Sequence, residues 1–516
     1  MIIFILFLMS TFIFLLRCTS SKLRPPLPPG PKPLTYIGSL IPMLTNKPTF
    51  RWIDRMMEEM KTKIICIRIG TVHVITVSDP KIAREFLKEK DKMFASRPDC
   101  MSAYLTSDGY LNTSLVPMSD HWKNMRRIIA TEIVSVAGHK WLQNKRDEEA
   151  DNLLRYVYNR CKANVAVTGG VVNVRIIAQQ YTSNIARKVM FGTNHFGKGS
   201  ADGGHGDEEI ENVESLFTIL AYTYAFCVTD YFPWLRWVTD FDGHERIIRN
   251  ALRTARKYQD PLIDERIRRW KDGVKTTKDD FLDVLINLQD PKLTADHIKA
   301  QTLDMMIATF DNTWNGIEWA IAEMINEPRI LQKAVSELDF LVGKDRLVQE
   351  SDMVHLNYIK ACVKEALRLH PIAPFTLPRV ASCDTTVAGY FIPKGSQVLI
   401  SRLGLGRNPE VWDNPLTFNP DRHMNGKNEV VLTDHNLHML SFSAGRRGCP
   451  GVLLGSTMAV MLLARLIQGF TWELQPNVPS IELEENLQNL WKAKPLLALA
   501  KPRLAHHLYP QVENKC

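Results

Sequence analysis

Ten residues near the C-terminus constrain this 516-residue chain more than any other stretch: Phe442-Ser-Ala-Gly445-Arg-Arg447-Gly448-Cys449-Pro450-Gly451. Glycines at −4, −1 and +2, an arginine at −2 and an aromatic at −7 place this cysteine in a tight backbone loop. Gly445 and Gly448 permit positive φ and a close approach to a flat ligand. The run from Pro450 to Arg465 reads as an apolar, buried helix with proline at its first position. Cys449 is then expected where free N–H groups and the helix dipole favour a negative sulfur.

A large flat ligand that takes a sulfur and carries negative charge is haem. Iron would sit on Cys449, a propionate on Arg447, and Phe442 would shield the iron–sulfur bond. A bare cysteine beside an Arg-Arg pair is more often a buried structural residue. The surrounding glycines, aromatic and arginine turn the reading to a metal ligand.

At every fixed position the segment matches Phe-x-x-Gly-x-Arg-x-Cys-x-Gly, and so resembles the cysteine loop of the cytochrome P-450 superfamily. The resemblance implies a mainly α fold with small β-sheets (α+β), one large catalytic domain and haem b. It also makes demands elsewhere. Tyr358-Ile-Lys-Ala-Cys-Val-Lys-Glu365-Ala-Leu-Arg368-Leu-His-Pro371 is helix-periodic and stopped by proline, with Glu365 and Arg368 on one face. With Phe418-Asn-Pro420-Asp-Arg422 it resembles the superfamily's buried Glu-Arg-Arg network, a structural support for the haem site. Trp122 and Arg126 fit a Trp-x-x-x-Arg helix that supplies propionate partners. Arg379 lies where relatives place another.

Gln301 to Met324 reads as a long apolar helix ending near Pro328, with polar residues only at its centre. Asp311-Asn312-Thr313 there costs helix propensity and desolvation, which points to a site. Relatives usually carry acid-Thr at this place as a proton relay. Asn after the acid is similar to plant family 79 of the superfamily, the aldoxime-forming amino-acid N-hydroxylases. Ala381 to Ser396, Arg402 to Pro409 and Val342 to Asp352 resemble that group as well. It usually has Asn-Pro where this chain has Asn312-Thr313, so the helix kink expected from proline is lost. A Thr313 hydroxyl would point about 100° around the helix from position 312.

The family-79 resemblance implies successive N-hydroxylations of an L-amino acid, then dehydration and decarboxylation to an aldoxime. Dioxygen would be the co-substrate, and electrons would come from NADPH through a flavoprotein reductase. Asp311 and Asn312 become the proton-delivery candidates, with Asn315 and Phe375 as substrate contacts. Gly451 completes the cofactor-binding set. Two other readings stay open: a carbon hydroxylase of phenolic, terpenoid or fatty substrates, and a haem protein without oxygenase turnover.

Composition agrees with a large folded enzyme: 45% of residues are hydrophobic, and no Gly/Ser linker or repeat divides the middle. Nine scattered cysteines suit a reducing compartment better than a disulfide framework. The formal charge of +8 fits a basic face towards an acidic membrane or electron donor, and no nucleic-acid motif accompanies it. Residues 1–17 are read as a transmembrane anchor and 18–34 as a basic, Pro-rich hinge, leaving 35–516 as the haem-thiolate monooxygenase domain. Positive charge follows the apolar run, which puts the catalytic body on the cytosolic side, here of the endoplasmic reticulum. The glycine-rich stretch 197–207 lacks the strand and Gly-Lys-Ser/Thr ending of a phosphate loop and is assigned no ligand.

Overall fold

The computed structural model describes residues 25–510 apart from 35, 164–169, 198, 201–203, 233, 236–239, 241, 425, 427 and 428. The side chains of Ala163 and Asp311 also lie outside it. The expected anchor, and the first part of the hinge (18–24), fall outside the described residues.

The helices used below are α1 (Thr49–Glu59), α2 (Asp120–Ile128), α3 (Val174–Phe191), α4 (Asp207–Tyr222), α5 (His244–Lys271), α6 (Ala295–Asn326), α7 (Asn357–Leu369) and α8 (Val452–Gly469). The strands are β1 (Ile64–Ile69), β2 (Val72–Val77), β3 (Val171–Asn173), β4 (Arg379–Val380), β5 (Gln397–Ile400), β6 (Phe470–Glu473) and β7 (Leu497–Pro502). The architecture is mainly helical with small sheets, as expected. One sheet has the order β1-β2-β5-β4 and a second the order β3-β7-β6.

The β1–β2 hairpin forms as its β-branched content predicts, pairing Ile64 with Val77 and Ile69 with Val72. β5 adds to β2 in parallel, Val74 to Gln397 and Val77 to Ile400. Asp79 then caps a short helix, its carboxylate accepting from the Lys81 and Ile82 N–H groups.

Helix α6 is the axis of the helical body, packing against α3, α5, α7 and α8. Trp314 and Trp319 are fully buried on it. It runs unbroken through Asn312-Thr313, as the missing proline predicts, and ends at Asn326, two positions before Pro328. Helix α8 is apolar nearly all round and mostly buried. Among the described residues it is the one helix long and apolar enough to cross a membrane, but its burial makes it a core helix.

The Glu365 carboxylate fastens this body to the segment that leads to Cys449. Fully buried, it accepts Arg368 Nε and Nη2, each at 2.7 Å, and Arg422 Nε at 3.0 Å. It also takes the Asn419 N–H at 2.9 Å and His423 Nε2 at 2.8 Å. Arg368 then donates to the carbonyls of Gly406, Pro415 and Thr417, so the loop following β5 hangs on it. Burial alone would raise the Glu365 carboxyl; the Arg368 fork and His423 overcome it and hold the group at about 2. His423 is the member of this network absent from the expected trio.

Because the folded carboxyl lies below its ordinary value of 4.5, its stabilisation is complete above that value. It is lost as pH falls from there through about 2. Glu365→Gln is expected to remove about 3–5 kcal/mol at neutral pH by leaving Arg368 buried and unpaired. The loss should shrink towards the bottom of that pH window, as measured by denaturant unfolding.

Candidate haem-thiolate site

The cysteine loop is built as its glycines predict, with two corrections. Gly445 has φ +69°, and a Cβ there would lie 2.2 Å from the Leu87 carbonyl oxygen and 2.4 Å from Asp91 Oδ1. Gly448 has φ −57°; its smallness serves contact with the Gly445 carbonyl, not a left-handed turn. The left-handed residue beside Gly445 is Ser443, at φ 56°. Helix α8 starts at Val452 with Gly451 as its cap, so Pro450 precedes the helix rather than opening it.

The loop is closed by Cys449 N–H to the Phe442 carbonyl at 2.8 Å and Gly448 N–H to the Gly445 carbonyl at 2.9 Å. Phe442 leans on Gly455 of α8, where a Cβ would meet its ring at 3.3 Å.

Cys449 keeps open surface although protein crowds around it, so the residue is accessible to a ligand. Burial raises the thiol above its ordinary value; the Gly451 N–H, Arg126 and Arg402 pull the other way without cancelling it. The local field therefore favours a thiolate only when another positive centre joins the sulfur.

The cations around the loop make the complementary demand. Arg97, Arg126, Arg379 and Arg447 are close enough to lower one another's affinity for protons. Burial, then the repulsion from Arg97, Arg379 and Arg126, brings Arg447 down to about 8. Burial brings Arg97 down to about 10. Arg447 donates to the carbonyls of Ala95 (2.7 Å) and Val116 (2.6 Å) and lies 4.2 Å from the Trp122 ring centroid. Arg126 reaches the Gly448 carbonyl at 2.5 Å. Arg379 pairs with Asp91 at 2.9 Å.

Among the described residues, one carboxylate in direct contact does not balance four guanidiniums. A flat ligand with an electrophilic metal for the sulfur and two carboxylates for the arginines satisfies both demands. The residues present fit haem.

On α6, Met305, Ala308, Thr309 and Asn312 keep open surface on one face, with Ile307 beside them. Residues 300–304, 306, 310 and 313–325 are buried. Asn312 Nδ2 donates to the Ala308 carbonyl at 2.8 Å, which stabilises an asparagine in mid-helix. Thr313 is buried on the closed side, so it does not restore a hydroxyl at the open face.

Asn315 departs from its expected role. It is fully buried, has no open surface for a substrate, and neither amide atom has a partner. Phe375 is half-buried; it packs on Phe50, Leu403 and Leu490, and its backbone bridges to Ser401. Trp491 joins Phe217 and Trp314 in an aromatic cluster between α4 and α6, with ring centroids 4.8–5.7 Å apart.

Sequence reasoning missed Arg97, Arg402, Asp91 and Asp304. Asp304 is buried on α6 and accepts from Ser114 N–H and Oγ, each at 3.0 Å, and from Thr113 N–H at 3.3 Å. Arg97 and Arg447 grip the carbonyls of that same loop, Ser114 at 3.1 Å and Thr113 at 3.4 Å. Arg402 opens the Arg402–Pro409 stretch noted above, though nothing there marks it as a neighbour of the sulfur; the other three stand in no recognisable motif, with Ser96-Arg97-Pro98 the nearest signal.

The chain belongs to the cytochrome P-450 family, whose model matches residues 28–499. A zebrafish cytochrome P-450 solved with progesterone shares the fold, with a TM-score of 0.71 at 21% identity, covering 89% of this chain and 100% of that one. Among curated relatives, phenylalanine N-monooxygenase of Arabidopsis thaliana is 53% identical over 94% of this chain and 92% of its own. Valine N-monooxygenase 1 of Manihot esculenta is 51% identical over 98% and 93%. Tyrosine N-monooxygenase of Sorghum bicolor is 50% identical over 95% and 88%.

Gly445→Ala tests the loop. The left-handed conformation alone costs roughly 1–2 kcal/mol, and the overlaps with Leu87 and Asp91 add to it. A lower thermal midpoint, with a smaller haem-thiolate band per mole of protein, is the expected outcome.

Proposed function

We infer that this chain N-hydroxylates the α-nitrogen of an L-amino acid, twice in succession, on the way to an aldoxime. The observation that carries the reading is the near-full-length likeness, at about half identity, to enzymes named for amino-acid N-monooxygenation. Supporting it are an open cysteine at the family's cysteine position and Asn312 on the open face of α6.

Cys449 would hold haem iron; Arg447, Arg126, Arg379 and Trp122 would hold the propionates, with Phe442 beside the sulfur. Haem so bound supplies dioxygen activation, helped by electron donation from the thiolate. Electrons would come from NADPH through a flavoprotein reductase at the membrane of the endoplasmic reticulum. Residues 1–17 would anchor the chain there and 18–34 would space residues 35–516 from the surface.

The chain's own contribution is position and proton supply. Asn312, its Nδ2 committed to the Ala308 carbonyl, presents an amide carbonyl where a hydroxyl would stand in most relatives. An amide carbonyl accepts from a water and orients it, but passes on no proton of its own. Asp311 is the acid adjoining it and the candidate source. The relatives act on aromatic and branched amino acids alike by name, so side-chain choice rests with residues outside this shared machinery.

Cys449→Ala is expected to abolish the thiolate-type Soret shift of the reduced carbonyl complex; retention of that shift would overturn the ligand assignment. Microsomes carrying this chain, a reductase and NADPH should convert at least one of phenylalanine, tyrosine, tryptophan, valine or isoleucine to its aldoxime. Tight coupling to a phenolic or terpenoid substrate instead would favour the carbon-hydroxylase reading. Asn312→Ala should lower aldoxime turnover about tenfold or more, with substrate-binding spectra retained.

A further inference from the structure

A second constellation of ligand-type side chains lies away from Cys449, in the segment joining α4 to α5. Cys227 Sγ, a carboxylate oxygen of Asp242 and a ring nitrogen of His244 lie within 4.8 Å of one another. Cys227 and His244 are buried, whereas Asp242 is exposed. The sulfur and Asp242 Oδ1 are 3.9 Å apart. Zinc bonds of about 2.3 Å to sulfur and about 2.0 Å to oxygen, in tetrahedral array, require a separation of about 3.5 Å. The sulfur–carboxylate pair is therefore within a few tenths of an ångström of a coordinating separation, and the His244 nitrogen lies within 4.8 Å of both.

Each donor is also oriented by a neighbour. Thr229 Oγ1 lies 3.1 Å from the Cys227 sulfur. The Asp242 carboxylate accepts the Val228 N–H at 3.1 Å and the His244 N–H at 3.2 Å. His244 Nε2 lies 2.9 Å from the Tyr222 carbonyl; donating a proton there leaves the lone pair on Nδ1. Outer partners of this kind fix ligands in metal sites. Gly243, at φ +70°, makes the turn that sets Asp242 and His244 together at the head of α5.

We propose that Cys227, Asp242 and His244 form a site for a zinc-class divalent cation, with water as the fourth ligand on the exposed Asp242 side. Binding exchanges the Cys227 S–H bond for a metal–sulfur bond and releases one proton to solvent; no electron is transferred. The ion would clasp the end of α4, the turn Val228–Tyr231 and the start of α5. Asp230 in that turn accepts the Met101 N–H at 2.8 Å, which ties the clasp to the short helix Met101–Thr106.

The test uses the full-length haem-loaded protein, purified without a histidine tag and freed of metal by chelator. Zinc is titrated against a chromophoric competitor, and cadmium is used to reveal a sulfur-to-metal charge-transfer band. One equivalent of zinc should bind tightly. Cys227→Ser, His244→Ala and Asp242→Asn should each weaken binding about tenfold or more. Cys383→Ser, at an exposed cysteine, should leave it unchanged. The reduced carbonyl spectrum certifies folding of every variant, and if Cys227→Ser does not fold, Asp242→Asn at the exposed position decides. Less than one equivalent in the parent protein, equal affinity in the ligand variants, or loss on Cys383→Ser would each overturn the site.

Discussion

A single buried carboxylate sets the geometry on which the rest depends. Glu365 is enclosed on every side, yet stays ionised because it is surrounded by donors: two arginines, a histidine and a backbone N–H. A buried charge so fully paired is an unreplaceable spacer, because removing any partner leaves another stranded. Through Arg368 it gathers three carbonyls of the irregular chain after β5, a stretch with little regular structure of its own. The cysteine loop inherits its position from that attachment.

The loop in turn stands between two unbalanced fields. On one side a thiol is kept protonated by burial despite a helix cap and two arginines. On the other, a cluster of guanidiniums presses against itself, with Asp91 the carboxylate in direct contact among the described residues. Neither is stable in isolation as a design, and both are resolved by one ligand that is cationic at its centre and anionic at its rim. The site's identity thus lies in what its charges lack as much as in what its residues offer.

Much of this was legible in the residues because the signals were local. The cysteine loop, the Glu365–Arg368 spacing, the β1–β2 hairpin and the long α6 each announce themselves within one short window. What stayed hidden was assembled across the chain. Arg97, Asp91 and Asp304 act through carbonyls and N–H groups of distant loops, and His423 through the Glu365 carboxylate; no spacing rule encodes such contacts. The small errors were of the same origin. Gly448 looked like a left-handed residue, but the turn was made at Ser443 and Gly445, and Pro450 fell before the helix because Gly451 caps it. Asn315 looked accessible from its place near Asn312, yet the packing of α6 against its neighbours closes that position.

Asp91 accepts from Arg379, 288 positions along the chain, and from the Arg446 N–H, 355 positions along, while Gly445 leaves the room that its carboxylate occupies. Three far-separated segments therefore share one small volume. Evolution by recombination meets a barrier here: a crossover anywhere between residues 91 and 445 splits the set. Only parents that keep the acid, the arginine and the glycine together can exchange halves. A change at any one of the three positions alone loses the fit of the other two, so the knot couples residues across most of the chain's length.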